Sequence, residues 1–153
     1  MCSSDLGYSN TTGTEVVALG LQSLYSNTTG YANHALGYAS LFSYTTGGYN
    51  TAVGHSALNA NTTASDNSAL GYRALYANTT GTRGVAVGNY SLVSNTTGNY
   101  NVAVGYSALS GNTTASGNVA IGDSVLVNNT TGTNNVAIGT FNGSTLPVGR
   151  AHV

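Results

Sequence analysis

Apolar and polar positions recur along this chain with one fixed spacing. Asn-Thr-Thr begins at Asn10, Asn27, Asn61, Asn78, Asn95, Asn112 and Asn129, and Tyr44-Thr45-Thr46 fills the one gap, so the period is 17 residues without insertion. Written from the Asn, the unit reads N-T-T-G-x-x-N-x-A-V-G-x-x-A-L-x-x, with Leu or Ile allowed for Val and Ser allowed for the second Ala. The ninth position is Ala in all eight units: Ala18, Ala35, Ala52, Ala69, Ala86, Ala103, Ala120 and Ala137. The eleventh is always Gly, from Gly20 to Gly139. Leu holds the fifteenth position at Leu24, Leu41, Leu58, Leu75, Leu92, Leu109 and Leu126, and gives way only at Gly143.

A disordered tract of this composition has no reason to keep Ala, Val and Leu in register through every copy, so the register implies stacking. The unit is too short for a pair of helices and too rich in turn residues. It fits one coil of an all-β parallel β-solenoid, in which adjacent coils pair as strands about 4.8 Å apart and eight coils make a rod on the order of 40 Å long. The clearest strand is Asn101-Val102-Ala103-Val104-Gly105, with counterparts at Asn118–Gly122 and Asn135–Gly139. Alternation places the bulky eighth and tenth positions on one face and the small ninth and eleventh on the other. Both faces are largely apolar, the mark of a strand covered on two sides, so the outward row calls for a partner chain. Asn-Thr-Thr-Gly reads as a turn in which Gly supplies a positive φ, although Ala64 and Ala115 stand in that Gly column. Positions twelve to seventeen, as in Tyr106–Gly111, are read as a second strand, with a short helical turn as the alternative. Buried Ala, Val and Leu ladders are expected to stiffen the rod.

Charge alters the functional picture more than it alters the fold. Only 5% of residues are charged, the formal net charge is −1, and the basic residues number three, all Arg. No basic stripe exists to neutralise phosphates, which argues against nucleic acid and against an anionic membrane surface. No apolar run approaches the roughly 20 residues of a membrane span, so no membrane insertion by this segment is expected. Met1–Leu6 resembles the translation of a common sequencing adapter. It is read as a non-native leader on an environmental gene fragment, and Cys2 as part of it. The expected organisation is therefore leader 1–6, solenoid 7–143, and 144–153 as a degraded end of the repeat or the start of a further segment.

The run Asn50-Thr-Ala-Val-Gly-His-Ser-Ala-Leu58, repeated as Asn101-Val-Ala-Val-Gly-Tyr-Ser-Ala-Leu109, resembles the head repeats of trimeric autotransporter adhesins and similar repeats of phage tail fibres. The resemblance spans Gly7 to Gly139. It implies a left-handed parallel β-roll, three chains associated side by side, and a binding surface displayed outside a bacterial cell or on a virion. A host surface receptor or a glycan is the implied partner. The usual head unit is shorter, and the extra residues here fall around Asn-Thr-Thr-Gly.

Stacking register also tests for chemistry. Glu15 and Asp66 share a column but lie three coils apart, about 14 Å, beyond the roughly 5–9.5 Å of a glycosidase pair. Asp123 stands in another column. Asp66 and Arg83 occupy one column in adjacent coils and should form a surface ion pair worth at most about 1 kcal/mol. His34, His55 and His152 fall in unrelated columns with no second ligand at metal spacing. The glycines match neither a phosphate loop nor a dinucleotide fingerprint. No catalytic residue, metal site or cofactor is therefore assigned, and the chain is read as a structural or adhesive repeat segment without catalysis. The candidate recognition residues are Tyr38, Tyr72 and Tyr106 in one column and Tyr25 and Tyr76 in another, where aromatic rows could meet sugars or a receptor, or pack on a neighbouring chain. Two alternatives stand beside this reading. One is an ice-binding face on the Thr columns; the other is a monomeric carbohydrate-binding module using the Tyr rows. The Asn-Thr-Thr stretches also have the form of N-glycosylation sequons, which turn formation explains better.

Overall fold

The structure, a computed structural model, describes residues 8–140. The leader 1–6, the segment 144–153, Gly143 and His152 lie outside the described residues. The described chain is all-β, a parallel β-solenoid. Each coil contributes one three-residue strand: β1 (Val17–Leu19), β2 (His34–Leu36), β3 (Thr51–Val53), β4 (Ser68–Leu70), β5 (Val85–Val87), β6 (Val102–Val104), β7 (Val119–Ile121) and β8 (Val136–Ile138). They form one parallel sheet in chain order, and each Ala of the ninth position pairs with the next, Ala18 with Ala35 and so on to Ala120 with Ala137.

Small side chains line the inside. From Ala35 to Ala120 the ninth-position Ala is buried, and so is the fifteenth-position Leu from Leu24 to Leu109. These two ladders are the ones the periodicity anticipates. The bulky row is not buried with them: the tenth-position Leu, Val and Ile, with their eighth-position neighbours, face out of the sheet and are partly or largely exposed. The coil is too narrow to take bulky residues on both sides of its strand, and Ala is the residue that fits inside.

The remaining interior is polar and largely hydrogen-bonded. From Asn27 to Asn129 the Asn at the first position is buried, and in Asn27, Asn78, Asn95 and Asn112 its amide bonds in two directions. Nδ2 of Asn95 donates to Oδ1 of Asn78, one coil back, at 2.9 Å, and to the carbonyl of Gly98 at 3.1 Å. Nδ2 of Asn112 repeats both bonds, to Asn95 and Ala115. Asn at the seventh position instead presents Oδ1 to the backbone N–H of the following coil: Asn67 N to Asn50, Gly84 N to Asn67 and Asn118 N to Asn101, at 2.8–3.1 Å. Burying an amide is tolerable only with such partners. Each ladder also ties coil to coil. Where the fourteenth position is Ser, its hydroxyl donates to the Gly carbonyl three residues earlier, as Ser91 Oγ does to Gly88 at 2.8 Å, which is why Ser and Ala exchange freely there.

The expected second strand does not form. Positions eleven to seventeen are two successive turns, closed by Ser40 N to the Gly37 carbonyl and by Asn61 N to the Leu58 carbonyl at 3.4 and 3.2 Å. The thirteenth position is left-handed in the seven coils from Gln22 to Ser124, with φ of 51–61°, and the fifteenth from Leu24 to Leu126, with φ of 50–53°. The physical reason is burial: the fourteenth and fifteenth residues both face inward, which an extended strand with alternating sides cannot do. The loss is partial, because the segment still bonds coil to coil, as Leu58 N does to the Ala74 carbonyl at 3.0 Å.

The Gly of Asn-Thr-Thr-Gly does not supply the positive φ expected of it. The left-handed residue of that corner is the sixth of the unit, at Glu15, Ala32, Tyr49, Asp66, Arg83, Tyr100 and Asn134 with φ of 50–63°, and at Gly117. The fourth position is small because the inside of the corner is crowded, and buried Ala64 and Ala115 satisfy it equally. The eleventh position is different. Gly71 has φ +137°, and a Cβ there would lie 2.7 Å from the Gly88 carbonyl of the next coil. The same approach recurs from Gly20 to Gly105, so conformation and contact together explain why the column never varies.

Candidate functional site

Two surfaces stand out. The first is the outer face of the sheet. The tenth position is aliphatic in all eight coils, from Leu19 to Ile138. Leu19 is 63% exposed, Leu70 50% and Ile138 69%. From β5 to β8 the eighth position is Val throughout, so the two rows form one continuous apolar strip. In β2, β3 and β4 that strip is interrupted by His34, Thr51 and Ser68, all exposed.

The second surface lies past the Gly column, where the chain turns. Tyr38, Tyr72 and Tyr106 do share a row there, but they are not isolated from one another. His55 fills the coil between the first two, with ring centroids 4.8 Å from Tyr38 and 5.3 Å from Tyr72. Tyr90, one position further along its coil, bridges Tyr72 and Tyr106 edge-on at 5.2 and 6.1 Å. Five rings therefore run in unbroken contact through five coils. Column position alone makes His55 visible in the sequence; Tyr90 belongs to a different column and is brought in by ring geometry.

Arg73, which sequence reasoning passed over, sits in this file. Its guanidinium carbon lies 5.5 Å from the Tyr72 ring centroid and 4.9 Å from that of Tyr76. Nε is buried and has no hydrogen-bond partner. Tyr76 thus joins Tyr72 through Arg73, while Tyr25 is separate: it stacks nearly parallel to Tyr8 and Phe42, at 5.4 and 5.2 Å, in a short aromatic ladder of its own.

The titratable groups are spread along the rod. Arg83 Nε meets Asp66 Oδ2 at 4.0 Å, the ion pair the register implies, and both side chains are exposed. Arg83 also donates to the Tyr100 hydroxyl and lies over its ring at 5.2 Å. Among the described residues no group of three or more His, Cys, Asp or Glu could hold a metal ion, and no helix is long and apolar enough to cross a membrane. The one buried phenol is Tyr44, which takes the place of Asn in the first column and accepts from Asn50 Nδ2 at 2.9 Å. Burial pushes its pKa from 10.0 up to about 12.

The two Thr columns differ. At the second position the hydroxyl bonds into the rod, as Thr45 Oγ1 does to the Thr62 carbonyl and Thr79 Oγ1 to the Thr96 carbonyl, at 3.0 and 3.1 Å. At the third position every Thr from Thr12 to Thr131 is exposed. Most of the Asn-Thr-Thr asparagines are closed to glycosylation in the folded coil: Asn78, Asn95 and Asn112 are buried with both Nδ2 hydrogens bonded, whereas Asn10 in the first coil is exposed. No protein-family model, no curated protein and no solved structure matches the chain.

Proposed function

We propose that this chain is a structural and adhesive segment of an extracellular fibre, carried on a bacterial cell surface or a phage virion, and that it performs no catalysis. The observation that carries the reading is the aliphatic outer row of the sheet. A strip of Leu, Val and Ile running along the rod, partly or largely exposed on a single chain, is the kind of contiguous apolar surface that marks an interaction site. Its straightness and repeat suit a second rod of the same kind lying alongside. Three chains packed side by side, as in the trimeric adhesins that the Asn-x-Ala-Val-Gly units resemble, would bury it. The low charge of the surface suits a passive shaft whose turns carry recognition.

Sedimentation equilibrium of the purified chain tests this reading. A trimer is the expected mass. A monomer at micromolar concentration would overturn it.

A second reading has one observation in its favour. The third-position Thr row is unbroken even where Tyr44 replaces the Asn of its unit, and its side chains face solvent. Hydroxyl and methyl groups repeated about every 4.8 Å could order water at an ice surface. Thermal hysteresis that disappears on changing Thr63, Thr80 and Thr97 to Lys would establish it, and its absence would remove it.

A further inference from the structure

We infer that the cluster Tyr72, Arg73 and Tyr76, together with the ring file that passes through it, binds an acidic polysaccharide, a linear chain of sugars bearing carboxylates. The starting point is an unmatched cation. The described basic side chains are Arg73 and Arg83, and Arg83 faces Asp66. Of the described acids, Asp123 is three coils from Arg73, about 14 Å at the strand spacing, and Glu15 is equally far along the rod. Arg73 is instead held between two rings, at 5.5 and 4.9 Å, with its Nε buried and unbonded. Stacking between tyrosines fixes the guanidinium plane and strips part of its water, and the planar fork of Arg suits a carboxylate.

The surroundings select the rest of the ligand. Tyr38, His55, Tyr72, Tyr90 and Tyr106 continue the aromatic surface through five coils, roughly 20 Å along the axis. An extended polymer matches that length better than a single sugar. Rings that offer an apolar body and a phenolic hydroxyl suit pyranoses, which present C–H faces and hydroxyls in alternation. A polyphosphate or nucleic acid would need several cations in a row, and this file holds one. The inference deepens the adhesive reading and rests on it only in that the rod is displayed outward.

The fold itself supplies the test variants. Gln22 already occupies the column of Arg73, Asn89 that of Tyr72 and Asn59 that of Tyr76, so Arg73→Gln, Tyr72→Asn and Tyr76→Asn place residues that these coils accept. Titration of the full chain with polygalacturonate, with neutral β-glucan and polyglutamate alongside, should show a preference for the acidic sugar. That binding should weaken with added salt. It should fall about tenfold in Arg73→Gln, the loss expected for one charge-assisted hydrogen bond, and also in Tyr72→Asn and Tyr76→Asn, while Arg83→Gln binds as the parent does. No binding of polygalacturonate, undiminished binding by Arg73→Gln, or preference for polyglutamate would each overturn the inference. A trimer that ignores polygalacturonate would lose this site and keep the fibre, whereas a monomer that binds it would do the reverse.

Discussion

Oδ1 of Asn27 is buried without a donor because the next coil carries Tyr44 where every other coil has an Asn amide. In four other coils that amide reaches back to its predecessor, as Asn78 Nδ2 does to Asn61 at 3.2 Å, whereas Asn129 bonds only Gly132 and leaves Asn112 Oδ1 without a donor as well. The tyrosine ring fills the space instead, close enough that a Cβ on Gly30 would lie 2.6 Å from it. Tyr44→Asn should therefore regain one hydrogen bond, about 1 kcal/mol, and lose a buried ring, about 3 kcal/mol. The expected net change is a destabilisation of about 2 kcal/mol, read from urea unfolding. A more stable variant would show that the amide ladder outweighs packing.

The same residue gives the rod an alkaline limit. The folded chain holds the Tyr44 proton up to about pH 12, while an unfolded tyrosine releases it near 10.0. Between these values the native state binds more protons than the unfolded state, so stability falls as pH rises and is unaffected by this group below pH 10.0. The loss should total roughly 2–3 kcal/mol. Tyr49, raised chiefly by the neighbouring Tyr31 phenolate, acts in the same direction. Melting temperatures measured from pH 9 to 12 should drop, and Tyr44→Phe should flatten most of that drop.

Glycine columns that look alike in the sequence should respond differently. Gly71→Ala forces a side chain to φ +137° and against the Gly88 carbonyl, so a loss above about 3 kcal/mol is expected. Gly81→Ala meets no positive φ, but its Cβ would lie 2.5 Å from the Gly98 carbonyl oxygen, so the corner must shift to the form it takes at Ala64 and Ala115, and a smaller loss of about 1–2 kcal/mol is expected. Thermal melts of the two variants check the contrast. Equal effects would mean that the positive φ of the eleventh-position column does not matter.

These contrasts show what the sequence could express. Period, register, the Ala and Leu ladders and the Asp66–Arg83 pair follow from residue identity repeated at one spacing, because parallel in-register stacking turns each column into a contact list. Backbone conformation follows less readily. Leu at φ near 50° runs against the preference of any branched side chain, and only the demand that residues fourteen and fifteen both point inward selects it. The strand's two apolar faces were also indistinguishable by hydropathy. Interior width decided between them, placing Ala inside and Val outside. In the aromatic file, Tyr38, Tyr72 and Tyr106 are visible as a column, whereas Tyr90 and Arg73 come from a neighbouring column and enter through ring contacts.

The outer strip permits a test that separates folding from assembly. Val87 and Val104 lie side by side in β5 and β6, in the stretch from β5 to β8 where both outward rows are aliphatic. Their side chains point away from the Ala and Leu interior, so an acidic residue at either place should leave the coil bonds intact in an isolated rod. Buried between chains, two carboxylates in adjacent coils would be desolvated and close to each other, three times over in a trimer. Val87→Asp with Val104→Asp should therefore convert a trimer into monomers by sedimentation while leaving the far-ultraviolet circular dichroism unchanged. Should the double variant keep the parent mass, the chains must meet along another surface, and the aromatic file would be the next place to look.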